Sequence, residues 1–131
     1  MNIDKQMRKQ DYFEKLIDHR TDAFFVVDEQ GLLIYASQTV GKLFGYNPED
    51  LVGKSALDFI HPEDHHSAKL RQSVLLVYPG NRIAADYRIR NVHKEYLWME
   101  CIFNNMINIP QVNGIMIQMR DVTERKSFEL Q

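Results

Sequence analysis

Between Gly45 and Asp64 the chain carries three helix starts in about twenty residues. Gly45 follows the apolar pair Leu43-Phe44, which suits a glycine closing a helix in the left-handed conformation. Asn47-Pro48 reads as an N-cap with proline at the first helical position, and Asp50 adds a carboxylate to that first turn. Gly53 interrupts, Ser55 with Asp58 repeats the cap signature, and His61-Pro62-Glu63-Asp64 opens a third, longer helix. No straight rod accommodates three starts. The stretch predicts a bent connector of stubby helices lying over something flat, which the strands on either side supply.

The flanking sequence supports this. Residues 4–19 read as a helix with Met7, Phe13, Leu16 and Ile17 near one stripe, suited to packing on the domain itself or on a second copy. Residues 23–28 and 32–36 form a hairpin across Glu29-Gln30-Gly31. Ser37 is expected to cap a helix running to Phe44. From Pro62 to Tyr78 a long helix carries Leu70, Val74 and Val77 at i, i+4 and i+7. Alternating strands follow over 82–90, 95–106 and 115–122, and a helix begins at Glu124. Hairpin-linked strands pair antiparallel. The expected fold is therefore α+β: a five-stranded antiparallel sheet, a cluster of short helices on one face, and helices at both termini. The expected division is an N-terminal amphipathic helix over 1–20, a core over 21–122 and the start of a linker helix over 123–131.

Composition excludes several functions. With 131 residues the chain holds one modest core. A net charge of −2 gives no electrostatic case for nucleic acid. The sequence has no run of 18 apolar residues and a polar N-terminus, so neither a membrane span nor a signal peptide is expected. A single cysteine, Cys101, excludes an internal disulfide and agrees with a cytoplasmic location.

The order of elements and motifs closely resembles the PAS domain, a sensory module of signalling proteins. The resemblance rests on Asp28 to Gly31, Leu43-Phe44-Gly45-Tyr46, Leu51-Val52-Gly53-Lys54, His61-Pro62-Glu63-Asp64, Tyr87-Arg88-Ile89-Arg90, Trp98-Met99-Glu100 and Asp121-Val122-Thr123-Glu124-Arg125-Lys126. These span residues 12–126; each is weak alone, and their order makes them specific. Two positions depart: Ser37 stands where asparagine is common, and the turn at Asn91 to Lys94 lacks the usual Asp-Gly. The resemblance implies an apolar pocket between sheet and short helices, with the signal passing through the sheet to the terminal helices. It also implies that Asp121, Thr123 and Arg125 couple the core to the exit helix. An Asp121–Arg125 latch and simple helix capping by Asp121 or Thr123 are both open at this point.

The inward set predicted to line the pocket is Tyr35, Leu43, Phe44, Phe59, Leu70, Val74, Met99, Cys101, Phe103, Ile117 and Met119. These residues either fill the interior or leave room for a small apolar ligand. The other sheet face shows Tyr96, Trp98 and Ile102, an apolar patch that the stripe of Phe13, Leu16 and Ile17 would cover, giving a homodimer. His61, His65 and His66 stand near one another, but His61 is explained as a cap and no metal site is expected. The resemblance places a haem histidine on the middle of the long helix, which here reads Lys69-Leu70-Arg71-Gln72. It places a flavin-reactive cysteine on the short helices, yet residues 45–78 contain none, and Met119 stands where the light-sensing branch has glutamine. Neither cofactor is expected, and the cofactor, if any, is unknown. No nucleophile, base and orienting group form a catalytic set. The expected function is a non-catalytic sensor and dimerisation module of a cytoplasmic signalling protein, acting on a C-terminal effector such as a histidine kinase. The alternatives are a cyclic-dinucleotide enzyme or transcription regulator as effector, or a ligand-free interaction domain.

Overall fold

The computed structural model describes residues 22–129; the expected N-terminal helix with Phe13, Leu16 and Ile17 lies outside the described residues. Five strands, β1 (Ala23–Val27), β2 (Leu33–Ala36), β3 (Arg82–Arg90), β4 (Tyr96–Met106) and β5 (Gly114–Asp121), form one antiparallel sheet in the order β2-β1-β5-β4-β3. Between β2 and β3 run α1 (Thr39–Phe44), α2 (Pro48–Leu51), two 3-10 turns (Ala56–Phe59 and Pro62–Asp64) and α3 (His65–Leu75). A last helix, α4 (Thr123–Glu129), follows β5. Among the described residues, no helix is long and apolar enough to cross a membrane.

Both edges of the sheet are tied to the connector. At the β2 edge, Leu33 N donates to Lys54 O at 2.8 Å and Gly53 N to Leu33 O at 2.7 Å. At the β3 edge, His61 N donates to Arg88 O at 2.9 Å, and Ile60 bridges Ile89. The residues between Leu51 and His61 thus span the sheet from one unpaired edge to the other, satisfying backbone groups that an open edge would expose. Gly45 closes α1 at φ 84°, and a Cβ there would stand 2.5 Å from Val92 Cγ1. The neighbouring Val92 N donates to Phe44 O, and Tyr46 Oη to Arg90 O, so the end of α1 is fixed to the end of β3.

The inward faces of β3, β4 and β5 match the expected alternation: Tyr87, Ile89, Met99, Cys101, Ile115, Ile117 and Met119 share one core with Phe25, Phe44 and Leu75. Tyr35 does not. A β-bulge between the Val26 and Val27 pairings sets Tyr35 opposite Val26 and Leu33 opposite Val27. The extra residue reverses the alternation, so Leu33 points inward and Tyr35 packs with Val26, Val112 and Met116 on the outer face.

Leu70 and Val74 are also misplaced by periodicity. They are 56% and 58% exposed, and the buried side of α3 carries Ala68 and Leu75 instead. The ends of α3 set its rotation. His65 Nε2 donates to Ile60 O at its start, and the buried Asn105 Nδ2 donates to Leu75 O and Tyr78 O at its finish. Ser37 differs as well: α1 begins at Thr39, and Ser37 Oγ accepts from Phe24 N at 2.9 Å, joining α1 to β1 rather than capping the helix. The turn without Asp-Gly is built by Asn91, whose Oδ1 accepts from His93 N and Glu95 N, while Lys94 takes φ 65°.

Candidate functional site

Between the sheet, the connector and α3 lies a cavity of about 240 Å³. Its floor is Val27, Ile83, Phe103, Ile115 and Ile117 from four strands; Ala56, Leu57 and Ile60 of the connector cover it, and Ala68 and Leu75 of α3 close one side. A second space of about 60 Å³ adjoins it, sharing Ala56, Ile60, Tyr87, Phe103 and Ile117 as walls. Phe44, Phe59, Cys101 and Met119, all in the expected inward set, line this smaller space together with Phe25, Tyr46 and Ile89. Met99 and Leu43 pack in the core but line neither space, while Tyr35, Leu70 and Val74 lie elsewhere. At about 30 Å³ per water, the larger cavity has room for roughly eight water-sized groups.

Sequence reading missed the polar side of the cavity. Gln30, Ser55, Lys69, Arg71 and Gln72 line it beside the apolar floor. Gln72 Nε2 donates to Glu29 O at 3.2 Å, linking α3 to the β1–β2 turn. Arg71 Nη1 donates to the Tyr87 hydroxyl at 3.1 Å and to Ser67 Oγ, and its guanidinium carbon stands 5.7 Å from the Tyr87 ring centre. Tyr87 is itself buried and meets Phe103 edge to face at 6.1 Å. The i, i+4, i+7 spacing of Ala68, Gln72 and Leu75 was the available signal; its mixed chemistry hid it behind the more apolar stripe at Leu70 and Val74.

The titratable groups near the cavity have structural duties. Arg88 holds Asp64 through Nη2 at 2.8 Å and Nε at 3.2 Å, and its backbone N–H donates to the same carboxylate at 3.0 Å. Burial would raise the Asp64 carboxyl, but these hydrogen bonds and the Arg88 charge hold it below the usual carboxylate range. His61 Nδ1 accepts from Glu63 N at 3.1 Å, as a cap does. Burial, with Asp86 and Glu100 adding negative charge, pushes the Cys101 thiol far above its ordinary value; it is a small hydrophobe, not a nucleophile. No three His, Cys, Asp or Glu side chains among the described residues group as metal ligands do.

Where β5 becomes α4, the Asp121–Arg125 latch is not formed. Asp121 Oδ1 accepts from Thr123 N at 2.8 Å, the capping alternative, and Thr123 Oγ1 accepts from Trp98 N at 3.1 Å. Arg125 reaches Asp86 at 2.9 Å and Glu100 at 3.7 Å, and Lys126 Nζ reaches Asp86 at 3.0 Å. The exit helix is thereby pinned to β3 and β4. Trp98, expected to be free for docking, lies between Arg88 and Lys126, with cations 5.2 and 5.0 Å from its ring centre. Tyr96 is exposed, 4.6 Å from the His61 ring, and Ile102 is half-buried.

An antiparallel sheet in this order, clasped edge to edge by short helices over a cavity and continued into an exit helix, defines an α+β sensor or interaction domain. A family model described as the PAS fold matches residues 11–122, and the chain belongs to that family. Among curated proteins it is 35% identical over 69 residues to an aryl hydrocarbon receptor nuclear translocator homolog of Drosophila melanogaster, covering 53% of this chain and 11% of the relative. It is 30% identical over 90 residues to basic helix-loop-helix ARNT-like protein 2 of Gallus gallus, covering 67% of this chain and 14% of the relative. The chain therefore spans at most 14% of the length of these two curated relatives. Among solved structures, a PAS domain from Colwellia psychrerythraea superposes with a TM-score of 0.70 at 22% identity, covering 87% of this chain and 97% of that one. A domain of a sensory box sensor histidine kinase/response regulator from Geobacter sulfurreducens gives 0.69 at 14% identity, covering 86% and 94%. The Drosophila melanogaster Cycle PAS-B, with bound ethylene glycol, gives 0.64 at 18%, covering 76% and 96%. At these identities the structural likeness is one of fold.

Proposed function

We propose that this chain is a non-catalytic sensor and dimerisation module of a larger cytoplasmic signalling protein, in which a small ligand in the cavity sets the position of α4 and, through it, a C-terminal histidine kinase. The observation that carries this reading is the cavity of about 240 Å³ floored by Phe103 of β4 and Ile117 of β5. The first of these strands holds α4, through Glu100 to Arg125 and through Trp98 to Lys126 and Thr123, and the second runs directly into it. A ligand pressing on Phe103 or Ile117 thus acts on the strands to which the exit helix is tied. The Geobacter sensor kinase domain supports a kinase as effector. The helix-loop-helix name of the Gallus gallus relative favours a second reading, a transcription regulator in that place. Dimerisation draws on the partly exposed Phe24, Ile102 and Met116 of the outer sheet face, which a second copy would bury.

Amide hydrogen exchange with hexan-1-ol as probe tests the coupling. Exchange should change both at the cavity residues and in α4, and Ala68→Phe should abolish both. Binding at the cavity with α4 unmoved would overturn the signalling role. For the dimer, sedimentation should show a self-association that Ile102→Asp weakens.

A further inference from the structure

The polar side of the cavity carries one sign of charge. Among the described residues its only charged walls are Lys69 and Arg71, and no Asp or Glu lines it. Elsewhere among the described residues Arg88, Arg120, Arg125 and Lys126 each pair with a carboxylate; Arg71 pairs with none. Its guanidinium is nonetheless positioned. Nη1 is held by the Tyr87 hydroxyl and Ser67 Oγ, and the group lies against the Tyr87 ring. Nε and Nη2 have no protein acceptor among the described residues. Gln30 and Gln72 add amide groups beside it. Opposite them the floor is entirely hydrocarbon: Val27, Ile83, Phe103, Ile115 and Ile117. A ligand that meets both walls of this space is apolar at one end and offers acceptors to a positioned cation at the other.

We infer that the cavity takes a small monocarboxylate with an apolar body, on the order of eight heavy atoms at about 30 Å³ each, its carboxylate received by Arg71 and its hydrocarbon end on Phe103 and Ile117. The inference rests on the reading of this cavity as the ligand site. The guanidinium suits the part because its planar fork offers parallel N–H donors to the two oxygens of a carboxylate, and Nε and Nη2 have no acceptor among the described residues. A neutral alcohol of the same length keeps the hydrocarbon contacts and loses the charged hydrogen bonds. An amine meets two cations.

Hexanoate, hexan-1-ol and hexylamine, titrated against the labelled full chain and followed by amide chemical shifts, separate the possibilities. Hexanoate should saturate at roughly tenfold lower concentration than hexan-1-ol, the factor a charged hydrogen bond of about 1.4 kcal/mol supplies. Arg71→Gln should bring hexanoate to the level of the alcohol without lowering the alcohol's own affinity, and Arg71→Lys should restore part of the difference. Equal binding of acid and alcohol, tightest binding of the amine, or a preference for hexanoate that survives Arg71→Gln would each overturn the carboxylate assignment while leaving the cavity a ligand site. Failure of all three probes to move the shifts of Phe103, Ile117 and Leu75 would overturn the cavity reading itself. Arg71 is exposed, so Arg71→Gln should melt with the parent; if it does not, Arg71→Lys and the parent still report the acid-to-alcohol ratio.

Discussion

Beside His65, two polar side chains help fix where α3 lies, and both act by taking up backbone groups of other elements. Asn105 is 2% exposed, and its amide donates to the carbonyls of Leu75 and Tyr78 at 3.0 and 3.1 Å. Asn105→Ala should cost about 2 kcal/mol in urea unfolding, the penalty for stranding the buried Leu75 carbonyl, and should loosen the cavity wall at Leu75; Tyr78 O still accepts from Asn81 N. Asp64 fixes the other end of α3 through Arg88. Its folded carboxyl lies below the usual range, despite burial, because Arg88 donates to it and carries the opposite charge. A depressed folded pKa means that the bridge contributes fully above the unfolded aspartate value near 3.9 and is lost as pH falls through the lower folded value. Asp64→Asn should therefore lower stability near neutral pH by about 1–2 kcal/mol and should flatten the loss of stability below pH ~4. A variant whose acid unfolding matches the parent would remove Asp64 from this role. Neither residue announced its role in the sequence: Asp64 reads as a first-turn carboxylate, and Asn105 is a polar side chain falling on the inward register of β4 after Phe103, because their partners are backbone groups far along the chain.

At the scale of elements, what was legible followed from period and punctuation. The connector, the five strands and the inward faces of β3 to β5 all come from alternation and caps, which are local. What failed was orientation set from a distance. A one-residue bulge turned Tyr35 outward, and the anchors at Ile60 and Asn105 rotated α3 away from Leu70 and Val74. The exit helix shows the same division. Its start at Thr123 was expected to within one residue, but Arg125 passes over Asp121 to reach Asp86. Asp86 receives both Arg125 and Lys126, and it raises the Lys126 ammonium above its ordinary value. One carboxylate thus receives both basic side chains of the helix, with Glu100 a more distant second partner of Arg125. Asp86→Asn should leave the core intact and speed amide exchange in α4 alone. Salt near 1 M, where charges are screened within about 3 Å, should do the same to the parent. Unchanged α4 exchange in both would mean that Thr123 and Trp98 suffice to hold it.

The molecule as a whole keeps a cavity that its own chemistry could close. Ala68 stands on the wall with Ile83, Phe103 and Ile117 across from it, and no other described atom fills the space between. A larger apolar side chain there has room, since about 240 Å³ exceeds the three carbons that leucine adds. Each newly buried methylene contributes about 0.8 kcal/mol at most, less whatever rotamer strain the site imposes. Ala68→Leu should therefore raise stability by about 1–2 kcal/mol, a melting temperature higher by several degrees. The same substitution should abolish the shift changes that hexan-1-ol produces at Phe103 and Ile117. The two readouts must move together. Greater stability with probe binding intact would show that the probe does not use the space beside Ala68. Lower stability would show that the connector at Ala56 and Leu57 is tied too rigidly to both sheet edges to accept the extra volume. A chain selected only to fold gains from filling such a space; keeping alanine there, beneath a clasp anchored at Leu33 and Arg88, favours occupation from outside over closure from within.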